Sequence, residues 1–183
     1  NHIICLNYFG VMLAQTNRID RAEQLFLKAN KIQPNNPFVN NNLGNIYYGS
    51  GDYNKAILYY EAAISFKSDF IDPNLNLGII YINQEKLEKA LDYLKRVIQI
   101  QPANIRSYAI IATIYKKQKN FKSALYSYQK IFEIDPENLL ANTGVVDLLS
   151  TSLIKNLTKD NSEELIEIFI FLYKKNSINH NLL

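Results

Sequence analysis

The sequence predicts an all-α protein, an α-solenoid of stacked antiparallel helix pairs. Three observations lead there. Residues recur at a spacing of 34: Gly10, Gly44 and Gly78 with Ala112 next, Ala22, Ala56, Ala90 and Ala124, and Leu13, Tyr47, Tyr81 and Tyr115. A period of this length is the mark of a repeat array. Each interval holds two apolar stripes at helical spacing with a breaker between them. Six Gly and five Pro among 183 residues are too few for the many tight turns of an all-β chain.

Taken in order, the units are 3–36, 37–70, 71–104 and 105–138, with no insertion between them. In the second, Leu43, Ile46 and Tyr47 make one stripe. Gly49-Ser50-Gly51-Asp52 interrupts it, and Ala56, Ile57, Tyr60, Ala63 and Ile64 make the next. Asp20, Asp52 and Asn120 stand in the inter-helix turns, near where the second helices need caps. Pro34, Pro102 and Pro136 close second helices, with Ser68 in the remaining slot. The Gly and Ala columns let paired helices approach closely. The bulky column Phe26, Tyr60, Leu94 and Tyr128 fills the space left over, and Ala29, Ala63, Val97 and Ile131 are expected to face the next unit. One pair cannot bury its apolar face alone, so units must stack. Residues 139–183 drift from the pattern and are expected to form a degenerate fifth pair, either a cap or a junction. Its first helix should run Leu139–Asn156 and its second Ser162–Lys175, with Val146 in the Gly column.

Composition excludes several functions. One cysteine, Cys5, cannot form an internal disulfide, and it has no basic neighbour at useful spacing; a buried or incidental thiol is expected. His2 and His180 lie near opposite ends, leaving little for a His-based metal site or catalytic triad. No GxGxxG, Walker, HExxH, CxxC or GxSxG pattern occurs, so neither an enzyme nor a cofactor site is expected within the chain. The net charge of +3 does not by itself imply nucleic acid. No apolar run approaches the roughly 20 residues that cross a bilayer. With no leader pattern the expected location is cytoplasmic, and the sequon Asn156-Leu157-Thr158 is not expected to be used.

The columns Leu6-Phe9-Gly10-Leu13 and Ala22-Phe26-Ala29-Pro34, repeated in each unit, resemble the tetratricopeptide repeat over residues 3–138. The resemblance implies a right-handed superhelix whose first helices line a concave groove, and a non-catalytic module that binds a peptide or protein segment there. Groove positions by helical period include Asn7, Tyr8, Asn41, Asn42, Asn45, Tyr48, Leu75, Asn76, Ile79, Arg106, Ile110, Thr113 and Lys117. Asn offers two donors and an acceptor, which suits the backbone of an extended peptide. The clamp that holds a C-terminal carboxylate in chaperone-binding members falls on Asn41, Asn45, Asn76, Arg106 and Ile110. Two of its Asn match and two cations are missing. An asparagine ladder known in the family matches at Asn42 and Asn76 and not at Tyr8 or Ile110.

Two other readings remain. The chain is alternatively the substrate-recognition arm of a larger bacterial enzyme, such as a glycosyltransferase or methyltransferase. Or its fourth repeat, with the basic patch Lys116, Lys117, Lys119 and Lys122, takes an acidic partner or RNA. The aromatic stacking motif of RNA modules is missing, which argues against nucleic acid. Ile4 and Tyr8 have no earlier unit to pack on, so the sequence is expected to begin inside a longer array. Leu165–Tyr173 is apolar all round and is expected to pack on a downstream domain or a second copy.

Overall fold

Each stripe of the four units becomes a helix. The computed structural model describes residues 2–155 and Ile170, with 149–155 described as helical backbone alone. The helices are α1 (His2–Gln15), α2 (Ile19–Ile32), α3 (Pro37–Gly49), α4 (Tyr53–Phe66), α5 (Ile71–Asn83), α6 (Leu87–Ile100), α7 (Ile105–Lys117), α8 (Phe121–Ile134) and α9 (Leu139–Lys155). No strand occurs among the described residues. The residues fall into two compact units, Asn1–Ile100 and Gln101–Leu183.

Helix starts follow side-chain capping. The Asn36 oxygen accepts from the Phe38 and Val39 amides, Asp52 from Lys55, Asn104 from Ser107 and Asn120 from Ser123. A cap of this kind is worth about 1 kcal/mol. Asp20 is a correction to the sequence reading: it lies inside the first turn of α2, whose N-cap is Arg18 without a side-chain bond. It still complements the helix dipole there.

The inter-helix turns share a feature that composition conceals. Asn17, Gly51, Glu85 and Lys119 all have positive φ, between 57° and 80°. They occupy one slot of the repeat. In three of the four, the left-handed residue closes a Schellman motif. Arg18 N–H donates to Leu13 O at 2.8 Å, Lys86 to Tyr81 at 2.8 Å and Asn120 to Tyr115 at 2.9 Å.

In the amino-terminal unit, α2 packs on α3 and α4 on α5, after each first helix has packed on its own second helix. Leu6, Leu13, Ala22, Phe26, Ala29, Val39 and Leu43 form one buried cluster there. Burying each large side chain contributes about 2 kcal/mol. Gly44 is required by close approach, because a Cβ there would stand 2.5 Å from the Tyr60 ring. Stacked tyrosines repeat with the units: Tyr47 on Tyr59 at 5.4 Å and Tyr81 on Tyr93 at 5.6 Å. The Tyr47 hydroxyl donates to Glu23 at 2.7 Å, tying α3 to α2.

In the carboxyl-terminal unit, α8 lies between α7 and α9. Ala112, Ala124, Tyr128, Ile131, Ala141, Val145 and Leu148 are its buried core. Val146, which the 34-residue phase places in the Gly column, is exposed, and at Gly144, in the column of Asn42 and Asn76, a Cβ would crowd Tyr128. The expected second helix of the fifth pair lies outside the described residues, Ile170 excepted, which is helical and exposed.

Candidate functional site

In an amphipathic first helix the residues one turn apart share a face. The outward face of α1, α3 and α5 carries Asn7, Asn42, Asn45 and Asn76, and their carboxamides meet between helices. Asn42 Nδ2 donates to Asn7 Oδ1 at 2.8 Å, joining α3 to α1. Asn76 Nδ2 donates to Asn45 Oδ1 at 3.1 Å, joining α5 to α3. Tyr60, from α4, enters the second pair from below. Its hydroxyl donates to Asn45 Oδ1 at 2.7 Å and accepts from Asn76 Nδ2 at 3.1 Å. The ring is fully buried against Gly44, so the phenol is fixed in position. Burial raises its pKa well above the ordinary tyrosine value, and it remains a neutral donor at any physiological pH.

Each tied pair leaves two groups without a bond from any described residue: Nδ2 of Asn7 and Oδ1 of Asn42 in one, Nδ2 of Asn45 and Oδ1 of Asn76 in the other. Whichever way the amides are oriented, one donor and one acceptor remain per pair.

The other sequence-derived positions divide sharply. Asn41, next to Asn42, is buried with 6% of its surface exposed, and its Oδ1 has no hydrogen-bond partner. Its neighbour Asn40 is also buried but well satisfied, donating to Pro34 O at 2.8 Å and accepting from Asn30 at 2.9 Å. Leu75 is buried, so it supports the face from beneath and offers no contact surface. Tyr48 and Ile79 are half-buried, and Tyr8 is largely exposed. Cys5 is exposed, which leaves the incidental thiol and removes the buried one.

Arg106, Ile110, Thr113 and Lys117 lie on α7, in the other unit. Arg106, Thr113 and Lys117 are exposed and Ile110 is half-buried. The Thr113 hydroxyl is spent on the Ala109 carbonyl at 3.0 Å. The basic patch is weaker than the sequence implied. Lys116 is ion-paired with Asp147 of α9, while Lys117, Lys119 and Lys122 are exposed. Lys130, another cation of this stretch, pairs with Glu133 at 2.7 Å.

Two features escaped the sequence reading. The Tyr60 hydroxyl was assigned only a packing role, although its column faces the Asn column of the next unit. Phe38 and Phe70 meet edge to face at 5.4 Å, with Lys67 Nζ 5.0 Å from the Phe38 ring. Among the described residues no cluster of His, Cys, Asp and Glu could hold a metal, and no helix is long and apolar enough to cross a membrane. The apolar segment Leu165–Tyr173 lies outside the described residues apart from Ile170.

Comparison with known proteins adds the following. A TPR repeat model matches residues 44–84, and three tetratricopeptide repeat models match 25–57, 74–104 and 105–138. The last has the bounds of the fourth unit read from the sequence. No curated protein matches. Among solved structures, a crystal structure of MamA is 20% identical, covers 94% of this chain and 96% of its own, and has a TM-score of 0.73. A second MamA crystal structure is 19% identical over 98% and 94%, with a TM-score of 0.76. A tetratricopeptide repeat protein from Parabacteroides merdae is 21% identical over 96% of this chain and 67% of its own, with a TM-score of 0.75. At these identities the likeness speaks for the fold, an all-α helical repeat.

Proposed function

The chain belongs to the tetratricopeptide repeat family, a family of protein-interaction modules, and from that premise we propose that α1, α3 and α5 bind an extended peptide segment by its backbone. The observation that carries the reading is the pair of tied carboxamides. Each presents one unused donor and one unused acceptor, which is the complement of a peptide group. The ties remove rotamer freedom before the ligand arrives, which lowers the ordering cost of binding. Tyr8, Tyr48 and Ile79 border the polar floor with apolar surface. The floor carries no cation, and the Asp72 carboxylate acts on Tyr60 beside it, so the ligand it fits is a peptide backbone and not a terminal carboxylate, which needs charge-assisted bonds.

The test begins with a random peptide display library selected on the full chain. Selected peptides should lose binding when their backbone amides are N-methylated. Asn42→Ala with Asn76→Ala should weaken them about tenfold or more, the loss of one to two net hydrogen bonds. Undiminished affinity in the double variant, or tolerance of N-methylation, rejects the assignment.

A further inference from the structure

Apart from His2, the first helices α1, α3 and α5 hold one charged side chain between them, Asp72. It is exposed in the first turn of α5, and it stands four residues before Asn76, so the two share a face of the helix. The Tyr60 hydroxyl reports where the carboxylate lies. Burial raises its pKa first, and the Tyr48 hydroxyl and the Asp72 charge add to the effect. The carboxylate is therefore beside the Asn45–Asn76 pair that the Tyr60 hydroxyl binds. Other acids of this unit are engaged. Asp52 caps α4 and pairs with Lys55 at 2.9 Å, while Glu23 and Glu61 accept from tyrosine hydroxyls at 2.7 and 3.2 Å. Asp72 accepts no hydrogen bond from a described residue, and no described Lys or Arg is ion-paired with it. Lys67 reaches the N-cap of α5, where its Nζ lies over the Phe38 and Phe70 rings at 5.0 and 5.1 Å and not on the carboxylate. The dipole at the start of α5 favours a negative charge there without occupying the carboxylate's acceptor sites.

Resting on the backbone reading above, we infer that this face selects peptides with a lysine or arginine placed to pair with Asp72. The four residues from Asp72 to Asn76 span about 6 Å along α5. A backbone bonded to the Asn45–Asn76 pair thus lies one long side chain from the carboxylate. Lysine and arginine cover that distance, and shorter residues do not. The rest of the face is uncharged in α1, α3 and α5 apart from His2, so a ligand cation finds one carboxylate there and a ligand acid finds no lysine or arginine. The carboxamide pairs read a backbone whatever its side chains. Asp72 supplies the sequence preference that they lack, by favouring one charge and opposing the other.

Peptides selected from the display library on the full chain carry the test. Lysine or arginine should recur at one position, at a fixed distance from the amides that cannot be N-methylated. Asp72→Asn keeps the shape of the side chain and removes its charge. Measured by fluorescence anisotropy at low ionic strength, it should weaken a selected peptide about two- to fivefold, the size of an ion pair that keeps contact with water. The difference should vanish in about 1 M salt. Asp72→Asn and a norleucine in place of the basic residue should not add, since each removes the same contact. Selection on Asp72→Lys should bring an acidic residue to that position. Circular dichroism matching the parent chain establishes that the variants are folded; Asp72→Ser replaces Asp72→Asn if it does not match. Binders that are sensitive to N-methylation but carry no basic residue at a fixed position, or that lose nothing with Asp72→Asn, overturn the inference and leave backbone recognition standing. Binders that tolerate N-methylation, or a library that yields none, overturn both.

Discussion

Alanine in place of Gly44 should damage both the packing and the carboxamide site. The Cβ built at Gly44 stands 2.5 Å from Cδ1 and Cε1 of Tyr60. The ring cannot slide away, because it is fully buried and its hydroxyl is held by Asn45 and Asn76. Overpacking of this kind costs about 1–3 kcal/mol. Loss of the hydroxyl bonds adds about 1 kcal/mol, and the better helix propensity of Ala returns about 1 kcal/mol. The net cost is about 2 kcal/mol. Gly78 is the internal control. There the Cβ would meet the Leu94 side chain at 3.0 and 3.1 Å, an overlap that a shift of a few tenths of an ångström relieves, so propensity and crowding nearly cancel. Gly10 falls between, facing the Phe26 ring at 2.6 Å with no hydroxyl to lose. Guanidinium unfolding followed by circular dichroism should rank the variants Gly44→Ala, Gly10→Ala, Gly78→Ala from most to least destabilised. Hydrogen exchange should locate the Gly44→Ala loss in α3 and α4, which matters because repeat arrays need not unfold as one. A Gly44→Ala chain as stable as the parent, or less affected than Gly78→Ala, would refute the close-approach argument.

The left-handed slot gives a second set. Glu85→Gly and Lys119→Gly should each stabilise by about 0.5–1 kcal/mol, the relief of about 1–2 kcal/mol of left-handed strain less the extra entropy of an unfolded glycine. Gly51→Ala should destabilise by about 1 kcal/mol, and denaturant midpoints check all three. Tyrosine ionisation gives the third. Burial, and after it the Glu61 carboxylate, push Tyr93 up to about 12, and Tyr47 and Tyr60 are raised also, chiefly by burial. These pKa values are higher in the folded than in the unfolded chain. The associated stability is therefore complete below about pH 10, the unfolded value, and is lost as pH rises towards 12. Ultraviolet titration should show a late-ionising class beside exposed tyrosines, and denaturant midpoints should fall above pH 10 and not below it.

The register of the helices was legible because two periods agree, 34 for the unit and 3.6 for the turn. Other features were hidden for identifiable reasons. Asn41 and Asn42 are adjacent letters, and a rotation of about 100° separates a buried orphan from a surface tie. Sequence spacing alone does not fix that rotation. The left-handed slot could be read at Gly51 but not at Glu85 or Lys119, whose side chains carry no preference for it. The Tyr60 hydroxyl was missed because an aromatic column explains itself as packing. Only the crossing of α4 beneath α3 and α5 reveals where the oxygen ends.

One rule links the polar contacts that sequence reading left unconnected. Asn45 and Asn76 are 31 residues apart, Lys116 and Asp147 are also 31 apart, and Asn7 and Asn42 are 35 apart. These are one repeat less three residues and one repeat plus one residue. They are the two neighbours, one helical turn apart, that a residue meets on the adjacent first helix. The same offset is thus taken by a neutral amide pair in the amino-terminal unit and, three residues further along the repeat, by an ion pair in the carboxyl-terminal unit. The chemistry of the two differs accordingly. An ion pair neutralises its own charge: Lys116 and Asp147 cancel, and the patch around them loses a charge it would otherwise offer a partner. An amide pair cannot saturate itself, because each carboxamide carries both kinds of hydrogen-bonding group and one tie uses only one of them. Joining repeats through asparagine therefore stiffens the array while leaving polar groups free in fixed positions. That contrast is the reason the proposed ligand site lies on the amino-terminal face and not at the lysine-rich turn.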